Sequence, residues 1–127
     1  MSAPGIVLYA HGARDPDWAA PFHAIAARVR TRLPATRVGV AFLEYMAPTL
    51  DDALVDMHAH GVERVLLLPL FWGRGRHLKS DLPALVAALR LRHPQLAIAV
   101  GTAAGDAPVL QEAIAAWVVD LALGGSG

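Results

Sequence analysis

Residues 65–83 read VLLLPLFWGRGRHLKSDLP. The stretch opens as an uninterrupted apolar run. It then passes into a segment holding Gly73 and Gly75, the cations Arg74, Arg76 and Lys79, and His77. A run such as Val65–Phe71 suits a strand buried on both faces, which is what a helix-covered parallel sheet demands. A charged, glycine-rich loop at the end of such a strand is the usual way an α/β protein presents chemistry.

The flanking sequence follows the same logic in both directions. Before the strand, Thr49 can cap a helix with Asp51 and Asp52 in its first turn, Leu50, Leu54 and Met57 as its buried face, and Gly61 as its stop. After the loop, Ser80 or Asp81 caps a helix with inner face Leu82, Leu85, Val86 and Leu89, ending at Pro94. Upstream, Gly5–Ala10 reads as a first strand ending at His11-Gly12. Asp15-Pro16-Asp17 then opens a helix whose face is Trp18, Phe22, Ile25, Ala26, Val29 and Leu33, stopped by Pro34. Arg37–Leu43 is a second strand and Leu96–Val100 a fourth. Asp106 and Pro108 open a last helix with an apolar stripe of Val109, Leu110, Ala113, Ile114, Trp117, Val118 and Leu121. Four strand–helix units predict a three-layer α/β sandwich: a four-stranded parallel sheet, order 2-1-3-4, with helices on both faces. Residues 1–123 form the single expected domain and 124–127 a frayed tail.

Composition narrows the function. Eleven cationic and eleven anionic side chains give zero formal net charge, which removes the electrostatic case for nucleic acid or an anionic membrane surface. The longest apolar run, Val65–Trp72, is eight residues, against the ~20 that span a bilayer. MSAPG lacks a basic segment followed by a long apolar core, so the expectation is no secretory leader and a cytoplasmic protein. The chain has no cysteine, which leaves nitrogen and oxygen as the only metal ligands. A hydrophobic fraction of 55% exceeds what a small soluble domain needs. Strands buried on both faces and an oligomer interface would each absorb some of the excess.

In an open sheet of this order the ligand site lies beyond the carboxyl ends of strands one and three, where strand order reverses. Those ends carry His11-Gly12-Ala13-Arg14 and Trp72–His77, and Glu44 follows strand two alongside. Two imidazoles and a carboxylate with no thiolate make an open site, suited to an ion that is held and then passed on. Gly73 and Gly75 would let the backbone approach a bulky ligand closely. Arg74, Arg76 and Lys79 suit a substrate bearing several carboxylates or phosphates.

His11-Gly12-Ala13-Arg14-Asp15-Pro16, Phe42-Leu43-Glu44 with Pro48, and Pro69 through His77 to Asp81-Leu82-Pro83 together resemble the motifs of short-form sirohydrochlorin cobaltochelatases. That resemblance implies a class II chelatase, a lyase that inserts a divalent metal into sirohydrochlorin without ATP on the way to cobalamin or sirohaem. It implies no obligatory cofactor: the metal is a substrate, Co2+ first, with Ni2+ or Fe2+ as alternatives. It implies His11 and His77 as metal ligands and, with Glu44, as the catalytic set. Arg14, Trp72, Gly73, Arg74, Gly75 and Arg76 become the tetrapyrrole-binding residues, and a homodimer the expected assembly. The chain departs from the family pattern at Ala13, commonly serine, and at Ala47, often a second glutamate, which leaves Glu44 to serve alone.

The other readings stay in view. His23, His58, His60 and His93 fall on helices or at a helix end and read as surface or packing residues. Trp18 and Trp117 read as core or dimer interface, and Asp81 as a helix cap. The competing functions are a metal or tetrapyrrole carrier without turnover and a flavodoxin-like phosphate binder. The latter lacks both a P-loop and G-x-G-x-x-G after the first strand.

Overall fold

The computed structural model describes residues 4–73 and 76–125, without the side chains of residues 76–80. Four parallel strands, β1 (Gly5–Ala10), β2 (Val38–Phe42), β3 (Arg64–Pro69) and β4 (Ala97–Val100), lie in the order β2-β1-β3-β4. The registers place Ile6 opposite Val38 and Leu66, and Val65 opposite Ile98. The helices are α1 (Ala20–Arg32), α2 (Leu50–Ala59), α3 (Arg76–Arg92) and α4 (Pro108–Ala122). A 3-10 turn at Pro16–Ala19 precedes α1, and another at Ala104–Asp106 precedes α4. The predicted sandwich and strand order are those observed.

Strand alternation sorts the core into two layers. Val7, Tyr9, Val65, Leu67 and Ile98 point to one face, packed by Leu54 and Met57 of α2 and Val86 and Leu89 of α3. Ile6, Leu8, Ala10, Val38, Val40 and Phe42 point to the other, packed by Ala26, Phe22 and Val29 of α1. Helix α2 starts at the expected Thr49 cap, which the structure extends to a capping box: the Thr49 side chain accepts from the Asp52 N–H, and the Asp52 carboxylate accepts from the Thr49 N–H. Paired Arg–carboxylate contacts join neighbouring elements, Arg37 to Asp56 and Arg92 to Asp51, with His93 2.8 Å from the same Asp51 carboxylate. These partners hold both aspartates below the usual carboxylate range, Asp56 chiefly through its bond from Arg37 and Asp51 chiefly through that from Arg92.

Three expectations change. Helix α3 begins at Arg76 and not after Ser80, so Pro83 sits inside it and not in an opening turn. The α1 stripe is narrower than its periodicity suggests, with Ile25 and Leu33 exposed. Helix α4 opens after Ala107, which makes no side-chain cap bond, and no residue of α4 is buried. Among the described residues its strongest contact is with the 3-10 turn before it.

Candidate functional site

Backbone pairing continues past the strand ends and fixes the site's framework. Leu43 N–H donates to the Ala10 carbonyl at 2.9 Å, and Glu44 N–H to the His11 carbonyl at 3.1 Å. Leu70 N–H donates to the Tyr9 carbonyl at 2.7 Å. Gly12 has φ +94°, and a Cβ there would collide with the Glu44 carbonyl oxygen. The close approach of these two backbones therefore requires glycine.

On that framework His11 Nε2 stands 3.6 Å from Glu44 Oε1, with both side chains about half exposed. The gap is too long for a hydrogen bond and leaves both groups able to face a ligand. The His11 ring meets Phe71 edge-on at 5.8 Å, and Phe71 meets Tyr9 edge-on at 5.3 Å. Burial, reinforced by the Glu44 charge, pushes the Tyr9 phenol up to about 12, so it stays neutral beneath the site. His11 and Glu44 line a cavity of about 660 Å3 that includes Trp18, Phe22, Phe71, Trp72, Gly73 and Asp81. A concave, largely aromatic recess with a few convergent polar groups is the form small-molecule sites take.

Of the residues singled out in the sequence, His11, Glu44, Trp72 and Gly73 meet in this cavity. Trp72 is 56% exposed, as a platform for a planar ligand would be. Gly73 has φ +82°, a left-handed turn that releases the chain from the end of β3. Arg14 is not in the lining; its guanidinium sits 5.0 Å above the Tyr45 ring. Arg74 and Gly75 lie outside the described residues, as do the side chains of Arg76, His77 and Lys79; the backbone of His77 belongs to the first turn of α3. Among the described residues no three His, Asp or Glu side chains converge as a metal site.

Asp81 is the functional candidate the sequence reading missed. It was expected to cap α3, but lies inside that helix and lines the cavity. With α3 starting at Arg76, positions 77 and 81 lie four residues apart in one helix, a spacing that shares a face. Trp18, expected in the core or a dimer interface, and Phe22, expected on the apolar face of α1, serve both the α1 layer and the cavity wall.

A family model described as CbiX matches residues 5–121. The chain belongs to the CbiX family. Among solved structures this CbiX chain is similar to a cobalamin (vitamin B12) biosynthesis CbiX protein of Marinobacter aquaeolei VT8. The identity is 30%, the TM-score is 0.82, and the match covers 93% of this chain and 96% of that one. The fold, though at 23% identity the fold alone, is shared with the cobalt complex of the sirohydrochlorin chelatase SirB from Bacillus subtilis subspecies spizizenii. That match has a TM-score of 0.68 and covers 93% of this chain and 51% of that one. A sirohydrochlorin cobaltochelatase of Saccharolobus islandicus (strain L.S.2.15 / Lassen #1) is 32% identical over 82 residues. That match spans 65% of the CbiX chain and 62% of the relative's length. The counterpart from Methanococcoides burtonii is 30% identical over a similar span.

Proposed function

We propose that this CbiX chain is a metal chelatase that inserts a divalent ion, cobalt first, into sirohydrochlorin without ATP, in the cytoplasm. The observation that carries the reading is the cavity at the sheet's switch point, where His11 and Glu44 face one another beside the exposed face of Trp72. Family membership and relatives named sirohydrochlorin cobaltochelatase point the same way. The metal is a substrate, and no resident cofactor is required.

Insertion removes two pyrrole N–H protons and moves the ion from protein ligands to macrocycle nitrogens. His11 and His77 hold the ion in this scheme, and the imidazole released on transfer is free to take a proton. Glu44 accepts the other. Asp81 supplies the second cavity carboxylate that Ala47 cannot. Arg14, Arg74 and Arg76 receive the substrate's carboxylates, and Gly73, Gly75 and Trp72 shape the face on which the macrocycle lies. A second copy of the chain is the expected partner.

The test is spectroscopic cobalt insertion into sirohydrochlorin by the full chain. His11→Ala and His77→Ala should each lose about 100-fold or more in kcat/KM, the scale of a positioned acid–base group. Undiminished turnover in His77→Ala would remove that residue from the site. Stoichiometric uptake without turnover would make the protein a carrier.

A further inference from the structure

We infer, on the chelatase reading proposed above, that Gly105 and Gln111 are positioning residues for the site. Through them the 3-10 turn before α4 holds the Trp72–Gly73 main chain at the height where a planar macrocycle meets it. Neither residue lines the cavity.

The pairing of β3 with β4 does not stop at the strand ends. Gly101 N–H donates to the Leu67 carbonyl at 2.8 Å, and four residues on Gly105 N–H donates to the Phe71 carbonyl at 2.8 Å. The second bond lands on the residue immediately before Trp72. It sets the turn Ala104–Asp106 against the main chain that leaves β3. A Cβ on Gly105 would stand 2.9 Å from Trp72 Cα, 3.0 Å from the Phe71 carbonyl oxygen and 3.1 Å from the Gly73 nitrogen. All three are main-chain atoms, which cannot swing aside as the end of a long side chain can. Only glycine allows two backbones to approach this closely. A larger residue at position 105 must displace Trp72.

The turn is fastened from its other side. Gln111 Nε2, in the first turn of α4, donates to the Gly105 carbonyl at 2.9 Å. The Gly105 N–H thus reaches toward the site while its carbonyl is held by α4, and Ala104 beside it is buried. Trp72 is the residue that this support serves. Its ring is more than half exposed, so its place follows from its main chain more than from packing of the ring. Gly73 beyond it turns at φ +82° with open space where a Cβ would be. A stacking platform is sensitive to height: a gap of about 0.5–1 Å forfeits roughly a quarter to a half of each contact. A displacement that small is what a methyl group on Gly105 would impose.

The test is a titration of sirohydrochlorin, without metal, into the full chain, followed by the macrocycle's absorbance. Gly105→Ala should weaken binding about 10-fold, the scale of a lost stacking contact. Gln111→Ala, an exposed position whose change spares every main-chain contact, should weaken it about threefold. In a Trp72→Ala background each change should cost less than about twofold, because the ring being positioned is gone. Should Gly105→Ala fail to fold, Gln111→Ala with and without Trp72→Ala decides the matter. Wild-type affinity in the folded Gly105→Ala protein would overturn the assignment. So would losses that persist undiminished beside Trp72→Ala, since both residues would then act on general stability and not through the platform. A wild-type chain that binds no sirohydrochlorin would overturn the chelatase reading, and these roles with it.

Discussion

One face of the sheet is finished on its β2/β1 side and open on its β3/β4 side. Under α1, Leu8, Ala10, Val40 and Phe42 are all buried, and Trp18 and Phe22 stack with centroids 4.7 Å apart at the edge of the layer. A few ångströms across the same sheet, Leu66 is half-covered and Ala97 and Ala99 are exposed. The strands on both sides are similarly apolar, so composition does not separate them. What separates them is how the following helix packs: α1 follows β1 and packs on its own sheet, whereas α4 follows the edge strand with none of its residues buried. A hydrophobic stripe states that a helix has an apolar partner, not which chain provides it.

The sharpest way to break this contrast is to truncate equivalent leucines. Leu8→Ala on the covered side should cost about 3 kcal/mol, through lost burial and a cavity, at every protein concentration. Leu66→Ala should cost clearly less in a dilute sample and approach the larger loss only in a concentrated one. Equal costs in denaturant titrations at both dilutions would mean that the two halves are alike. Ile114→Ala should follow the Leu66 pattern, with less than about 0.5 kcal/mol lost when the chain is monomeric.

The buried layer beneath the site gives a smaller, pH-resolved effect. The Tyr9 phenol is raised from 10.0 to about 12. The raised value means its neutral form is favoured by folding, so its contribution is complete below pH 10 and is lost as pH climbs toward 12. Tyr9→Phe should therefore flatten the alkaline fall in stability; superimposable wild-type and variant curves would contradict the shift. A second pH-resolved effect, also small, belongs to Asp56, held low by Arg37 at the surface. Its contribution is present above the unfolded carboxylate range and fades as pH drops through the lower folded value. Asp56→Asn should cost under about 1 kcal/mol near neutrality and nothing in acid, as urea titrations at the two pH values would show.

Most of the fold was legible because each βα unit announced itself locally. Thr49 and Asp52 spelled the α2 cap, and His11-Gly12 closed β1 where the apolar run ended. The His11, Glu44 and Trp72 convergence followed from strand order alone. The start of α3 is hidden in the sequence because Pro83 suits an opening turn and the glycines before it suggest loop, which makes Asp81 read as a cap. Ile25 and Leu33 fit the α1 period but lie at the edges of its stripe, where spacing cannot distinguish half-buried from exposed. The exposure of the α4 stripe was beyond reach because the same spacing of apolar residues serves a seated helix and an open one.

The pairing of Leu43 and Glu44 with Ala10 and His11, closed over Gly12, has a consequence for engineering. The separation of His11 from Glu44 is set by main-chain bonds and the missing Cβ, not by either side chain's own packing. Those two positions thus behave as sockets: new donor groups can be installed one at a time while the spacing between them is kept. Under the chelatase proposal, retuning toward a different ion is a matter of exchanging what sits in the sockets, provided position 12 stays glycine.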